Sequence, residues 1–309
     1  MIVSTGMRTD IPAFYAKWFD NRLKDGFVCV RNPYYKNQVT KYVLNPDVVD
    51  CICFCSKNPT PILPYLDGEL SKYRQFWFVT ITAYGKDYEP NVPEKTKVIE
   101  AFKEISKRVG INGIGWRYDP IFYGNGYDKQ KHIEEFTKIA TALKGYTNSC
   151  VISILDLYEK VKRNAPGIYP PSKEEQIELV KELVKIAKEN GIKIRSCCEG
   201  THLAPLGVDV SGCQTKEVIE NAIGLKLNVP KGKNQRAICS CLLGQDIGAY
   251  NTCGHLCKYC YANMDKHVVI DNMKRNNPNS PFLIGESEKD DKITEAKQVS
   301  YINSQLSIF

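Results

Sequence analysis

VVDCICF, at residues 48–54, is the stretch of sequence that decides the fold. Every residue in it except Asp50 is apolar, if cysteine is counted as a small hydrophobic residue. It lacks the alternating polar side chains of a strand with one face in water. A strand of this kind is covered on both faces, which is typical of a parallel sheet.

The chain on either side repeats a short strand-like run followed by an amphipathic helix. Strands are predicted at residues 1–4, 48–54, 76–82, 113–118, 151–157 and 192–196. Helices are predicted at residues 12–26, 94–109, 128–143, 172–190 and 216–225, with Ile177 on the buried face of the fourth. Residues 27–30 and 38–44 indicate a hairpin insertion. Six strand–helix units predict an α/β fold, a partial (βα)6-type barrel similar to a TIM barrel, although a doubly wound sheet gives the same linear pattern.

The later sequence divides the chain further. We expect a (βα) barrel domain at residues 1–200 and a cysteine-rich, iron–sulfur cluster-binding extension at 201–271, packed on the barrel rim. Residues 272–309 are polar and are expected to form a peripheral tail.

Composition excludes several classes of protein. The chain has 309 residues, of which 43% are hydrophobic, enough for a sizeable core. No apolar run is long enough to cross a membrane, and the first residues do not resemble a signal peptide, so we expect a cytoplasmic protein with no membrane partner. The net charge of +7 is spread along the chain, and this distribution does not indicate a nucleic-acid partner.

Polar side chains follow the predicted strands at the edge where βα barrels carry their active sites. Either a helix cap or an ion pair would also explain any one of them; Asp10 could cap a helix, and Arg117 could pair with Asp119. Because these residues share one rim, we take four as candidate catalytic residues, namely Arg117, Asp119, Asp10 and Lys57. Four more are candidates for cofactor binding, namely Ser56, Asn58, Arg8 and Glu199.

Thirteen cysteines, an odd number with no secretory signal, favour metal binding over disulfides. Cys253-Gly-His-Leu-Cys257-Lys-Tyr-Cys260 has the spacing CxxxCxxC, and we call residues 253–260 the three-cysteine loop. Three thiolates can hold a 4Fe–4S cluster while one iron stays open for a further ligand. Zinc is the alternative metal, and His255 is interpreted as a structural residue of the loop rather than a ligand.

Four more cysteines of the last third make a second complete coordination set. Cys198, Cys213, Cys239 and Cys241 are predicted to hold an auxiliary 4Fe–4S cluster. Cys197 competes with Cys198, because neighbouring residues on a strand point to opposite faces. A structural zinc ion is the alternative at this set as well.

With these motifs in place, the chain resembles a bacterial family of unknown function whose C-terminal cysteines are similar to those of radical S-adenosylmethionine (SAM) enzymes. The resemblance rests on residues 4–15, 56–59, 116–121, 197–199, 235–236, 246–250 and 253–263. It implies that SAM binds the open iron and is reductively cleaved to a 5′-deoxyadenosyl radical. It also implies a small-molecule substrate and a reductase, flavodoxin or ferredoxin as electron donor. The chain departs from the family pattern at Met7 and Cys55. In radical SAM enzymes generally the three-cysteine loop follows the first barrel strand, whereas here it follows the last strand–helix unit.

Two other classes of function stay open at this point. One is an iron–sulfur electron carrier or redox sensor without SAM chemistry. The other is a zinc-stapled module that binds nucleic acid through Lys231, Lys233 and Arg236, which lie beside the cysteines.

Overall fold

The structure is a computed structural model that describes residues 1–229, 239, 241–242 and 244–302. Its strands are β1 Ile2–Ser4, β2 Phe27–Arg31, β3 Gln38–Val43, β4 Cys51–Ser56, β5 Gln75–Thr80, β6 Ile114–Ile121, β7 Ser149–Ile154, β8 Lys193–Ser196, β9 Gln245–Asp246 and β10 Lys292–Glu295. Its α-helices are α1 Ile11–Phe14, α2 Ala16–Asp25, α3 Lys95–Val109, α4 Lys129–Leu143, α5 Glu159–Asn164, α6 Lys173–Glu189, α7 Lys216–Ile223 and α8 Lys266–Lys274.

The main sheet has seven strands in the order β8-β7-β6-β5-β4-β1-β9, and every pair is parallel. The predicted α/β class is therefore confirmed, and all six predicted strands are present. The two-residue strand β9 was not predicted, since Gln245–Asp246 is too short and polar to be recognised. Strand order follows the sequence from β1 to β8, and the edge strands β8 and β9 are not paired in the described part of the chain. Barrel closure is thus not observed.

The two faces of this sheet carry different layers, because successive side chains of a strand point to opposite sides. Ile52 and Phe54 pack into the large core. Cys51 and Cys53 point the other way, into a second cluster that includes Ile219 of α7. We call this second side the inner face. Helix α7 and the residues around Cys213 and Cys241 cover it.

The hairpin insertion is confirmed: β2 and β3 are antiparallel, and Phe27 pairs with Val43. Strand β10, from the expected tail, adds to β3 in parallel. The tail also contacts the first helices, because Trp18 donates its indole N–H to the Ser280 carbonyl at 2.9 Å. The domain boundaries at residues 200 and 271 stay predictions.

Helix α6 begins where its capping residues predict. Ser172 and Glu175 form the capping box of α6. The helix predicted over residues 12–26 is divided into α1 and α2 at Tyr15. Ile177 was wrongly predicted to be buried: it is 39% exposed, because the stripe of α6 that faces the sheet carries Gln176, Leu179, Val180, Leu183 and Ala187. Among the described residues, no helix is both long and apolar enough to span a bilayer.

Candidate metal centre

The three-cysteine loop lies over the carboxyl ends of three neighbouring strands, β1, β4 and β5. Neighbouring segments hold its backbone: Asn91 donates its side-chain amide to the Gly254 carbonyl at 2.7 Å, and Lys258 donates its N–H to the Tyr88 carbonyl at 3.0 Å. Leu256 has a φ of 55°, which is uncommon for a residue with a Cβ and makes a tight turn between the first two cysteines. The loop is therefore fixed at the sheet edge where catalytic residues were expected.

All three thiols of this loop are partly buried and lie within electrostatic reach of one another. Burial raises the pKa of the Cys253 and Cys257 thiols, and the Lys57 ammonium partly offsets the rise at Cys257. The amide of Ala262 donates to the Cys260 sulfur at 3.3 Å. Hydrogen bonds and positive charge at sulfur are what a thiolate-bound cluster requires of its surroundings.

Asp10 anchors the loop to the start of α1. One carboxylate oxygen caps α1 by accepting from the Ala13 amide at 3.0 Å. The other accepts from the Lys57 amide and lies 2.8 Å from the Nε2 atom of His255, a side chain with only 2% exposure. Both oxygens are thus engaged by protein groups. These contacts favour a positioning role for Asp10 and agree with the structural interpretation of His255.

A buried ion pair lies beside Cys257. Lys57 contacts Glu89 at 2.7 Å, and Thr82 and Tyr259 donate hydroxyls to the same carboxylate oxygen. Burial alone would raise the pKa of Glu89, but the Lys57 charge and the hydrogen bonds from Lys57, Tyr259 and Thr82 together outweigh burial, and the pKa is lowered. The pKa of Lys57 is raised, because the attraction of Glu89 and Cys257 exceeds the cost of burial. Both groups are therefore charged at neutral pH.

Glu89 was missed from the sequence because it lies nine residues beyond the end of β5 at Thr80, outside the short stretch read after each strand. The one signal for it in the sequence is local composition. The loop before α3 carries two acidic residues close together, Asp87 and Glu89.

Arg117 and Asp119 form an ion pair on the inner face, and each side chain is 16% exposed. The guanidinium stacks over the Phe78 ring at 5.1 Å. It lies within electrostatic reach of Cys55, Cys197 and Cys213. Cys197 and Cys213 belong to a second group of cysteines, Cys197, Cys213, Cys239 and Cys241, so the ion pair lies beside this group.

The four residues expected to bind a cofactor have protein partners. Arg8 forms a salt bridge with Asp246 of β9 at 2.8 Å, and Ser56 accepts from the Asn58 amide at 3.0 Å. A carboxylate oxygen of Glu199 accepts from the Ile154 amide at 2.8 Å. Arg8 thus attaches β9 beside β1, Ser56 shapes the turn to Asn58, and Glu199 is held at the end of β7. Their cofactor-binding roles stay predictions.

The second group of cysteines lies on the inner face. The sulfur of Cys213 is 3.6 Å from that of Cys197 and 3.3 Å from that of Cys241. Cys239 packs in the same apolar cluster. Cys198 instead has a φ of 61° and lines a cavity of about 240 Å³ together with Glu199, Cys239 and Cys241. The structure thus places Cys197 next to Cys213, and the predicted role of Cys198 stays a prediction.

Among the described residues, no three or more Cys, His, Asp or Glu side chains converge on a point that would hold one metal ion. A 4Fe–4S cluster does not need such convergence, because each thiolate binds a different iron. The three-cysteine loop fits a cluster in the chemistry of its donors. The family segment Gln235-Arg236 and the lysines at 231 and 233 lie outside the described residues.

Comparison with known proteins identifies the family. The chain belongs to the family described as a domain of unknown function, DUF1848, whose pattern matches residues 2–262. No curated protein matches the chain. Among solved structures, it is similar to the IOLI protein, in a crystal structure with a binding zinc atom, at 16% identity and a TM-score of 0.29. The match covers 48% of this chain and 52% of that one, so it spans about half the length of that protein.

Proposed function

We propose that this member of the DUF1848 family is an iron–sulfur enzyme of the radical SAM type. In this proposal Cys253, Cys257 and Cys260 hold a 4Fe–4S cluster whose fourth iron is open to SAM. The observation that carries it is the position of these three thiols. They lie together in one fixed loop, at the carboxyl ends of parallel strands and beside buried charges.

When bound, such a cluster would supply the electron that cleaves the sulfonium of SAM. The chain's own residues have supporting roles. Lys57 places a positive charge near Cys257, and the Ala262 amide donates to Cys260. Asp10 holds His255, and with it the turn between the first two cysteines. Together these contacts fix the three sulfurs before the cluster binds, so little ordering is left for the binding step.

Arg117 is the residue we assign to an anionic group of the cofactor or of a small-molecule substrate. Its guanidinium is largely buried and has Asp119 as its ion-pair partner, and a planar guanidinium can bind a carboxylate through two parallel hydrogen bonds. Asp119 would then be left to accept a proton or a hydrogen bond from the substrate. Ser56, Asn58, Arg8 and Glu199 would shape the pocket around the cofactor.

We further propose that the sheet is an open (βα) barrel. Its parallel strands follow the sequence from β1 to β8, and the last strand, β9, attaches to the first. A cluster in this setting needs a low-potential electron donor, so we expect a reductase, flavodoxin or ferredoxin as partner and the cytoplasm as location. An auxiliary cluster on the second group of cysteines is not needed for this proposal.

The test is the cleavage of SAM itself. Protein reconstituted anaerobically with iron and sulfide, then reduced with dithionite, should convert SAM to 5′-deoxyadenosine. Cys257→Ala should lose this product, whereas Cys29→Ala should keep it, because Cys29 is a buried cysteine of the hairpin. Bound iron without product would favour an electron carrier, and a colourless zinc protein would contradict the proposal.

A further inference from the structure

On the inner face, Cys213 lies closer to two other cysteines than the ligands of separate irons lie to each other. The Cys213 sulfur is 3.6 Å from Cys197 and 3.3 Å from Cys241. Thiolates around one zinc ion, at Zn–S distances of about 2.3 Å, lie about 3.8 Å apart along the edges of the tetrahedron. In a 4Fe–4S cluster each thiolate binds its own iron, so the sulfurs must be farther apart. These two sulfur–sulfur distances are therefore nearer to the spacing of ligands on a single ion, and the side chains must still turn to converge on one point.

Local backbone supports the Cys241 sulfur. The amide of Gln214, the residue after Cys213, donates to this sulfur at 3.4 Å. Gly212, the residue before Cys213, has a φ of +125°, and a Cβ there would lie 3.6 Å from the same sulfur. The turn at residues 212–214 thus folds closely around Cys241. Leu242 donates its amide to the Gln214 carbonyl at 2.7 Å and fixes the two segments side by side.

These cysteines also join the two open edges of the sheet. Cys197 directly follows β8 and donates its amide to the Ile152 carbonyl of β7 at 3.0 Å. Cys241 lies four residues before β9, at the opposite edge. In the described part of the chain no strand pairing joins β8 to β9, so the sheet stays open between these two edges. A cross-link between Cys197 and Cys241 would therefore close the sheet.

We propose that Cys197, Cys213, Cys239 and Cys241 bind one tetrahedral zinc ion, which closes the sheet between β8 and β9. Cys239 supplies the fourth thiolate, since it is two residues from Cys241 and packs in the same cluster. The sulfurs form a chain with Cys213 in the middle, so zinc binding requires side-chain rotations that draw Cys197 towards Cys241. The positive charge of Arg117, within electrostatic reach of Cys197 and Cys213, offsets part of the thiolate charge.

The role of the ion is structural. Four thiolates complete its coordination and leave no position for a substrate, as in closed zinc sites. The site is independent of SAM chemistry, because none of its ligands belongs to the three-cysteine loop.

The experiment uses the full chain with Cys253→Ala, Cys257→Ala and Cys260→Ala, so that the other proposed site cannot compete. Titration with Zn²⁺, and with Co²⁺ as a coloured probe, should show one ion bound, with the absorption of tetrahedral thiolate-bound cobalt. Adding Cys197→Ala should weaken zinc binding by more than about 100-fold. Removing a residue that only hydrogen-bonds to a metal ligand already costs about 10–100-fold, and Cys197 is proposed to bind the metal directly. Adding Cys198→Ala instead is the matched control and should leave the affinity unchanged.

Folding is checked separately by circular dichroism, with Cys150→Ala, a buried cysteine in the large core, as reference. In the background chain, Zn²⁺ should also slow amide hydrogen exchange in β8 and β1. The proposal is overturned if the background chain binds no ion, if Cys198→Ala weakens binding as much as Cys197→Ala, or if iron and sulfide assemble a four-iron cluster at these cysteines. None of these outcomes bears on SAM cleavage by the wild-type chain.

Discussion

Glu89 is the acidic residue on which the surroundings of Cys257 depend. Its side chain, 7% exposed, pairs with Lys57, and hydroxyls of Thr82 and Tyr259 donate to its carboxylate. Removing one partner of a buried pair leaves the other charge without compensation in a low-dielectric environment, which costs more than losing an exposed pair.

Glu89→Gln should therefore lower the free energy of unfolding at pH 7 by about 3–5 kcal/mol. Glu178→Gln, which removes the exposed partner of Lys129, should leave it nearly unchanged. Urea unfolding of the metal-free chains, followed by circular dichroism, measures both. An equal effect of the two substitutions would show that the Lys57–Glu89 pair does not stabilise the fold.

The same substitution should change the pH dependence of stability. The pKa of Glu89 is lowered in the folded protein, so its contribution is complete above its unfolded pKa of about 4.3 and is lost as pH falls through the folded pKa. In Glu89→Gln the free energy of unfolding should thus fall less steeply below about pH 4.3 than in the wild type.

For single residues, the sequence predicts which side chains lie at the site better than it predicts their hydrogen-bond and ion-pair partners. Lys57 and Asp10 follow strand ends and were found by position alone. Their partners Glu89 and His255 were missed or set aside, because the contacts join positions 32 and 245 residues apart in the chain. Only the packing of β1, β4 and β5 beside one another brings them together.

The short helix α1 connects the edge of the sheet to the three-cysteine loop. Its cap, Asp10, also holds His255 and the Lys57 amide. Asp128 caps α4 in the same way, by accepting from the Lys131 amide at 2.8 Å, but it faces solvent. The two caps differ in what else the carboxylate contacts.

Asp10→Ala should therefore destabilise the chain more than Asp128→Ala, which should cost about 1 kcal/mol. The additional cost arises because His255 and the Lys57 amide lose a buried acceptor, at about 1–3 kcal/mol. Thermal unfolding of the two variants tests this. Equal losses in both variants would mean that Asp10 is a helix cap and nothing more.

Elements with strong local signals were predicted well. The capping box of α6 and the apolar run of β4 are signals contained within a few neighbouring residues, so they can be recognised without knowing what packs against them. The burial of Ile177 and the strand β9 were not predicted correctly. Whether a residue at the edge of a helical stripe is buried, and whether two residues form a strand, depends on what packs against them.

The inner face of the main sheet is built from several elements, so the sequence of any one of them does not predict it. Alternation along β4 places Cys51 and Cys53 on this face, where sequence reading could interpret them only as buried hydrophobic residues. The second group of cysteines covers the same face, and the three-cysteine loop lies at its carboxyl edge. Cysteine spacing in the sequence predicts both groups, and the position of Cys197 next to Cys213 appears only in the three-dimensional structure.

The central claim is that the three-cysteine loop holds a 4Fe–4S cluster with one iron open to SAM. The most direct measurement is the low-temperature electron paramagnetic resonance spectrum of the reconstituted, dithionite-reduced protein, recorded with and without SAM. We predict the signal of a singly reduced 4Fe–4S cluster that changes shape when SAM is added and is absent from the chain with Cys253, Cys257 and Cys260 replaced by alanine. A spectrum that SAM leaves unchanged, or a signal that survives the three substitutions, would contradict the claim.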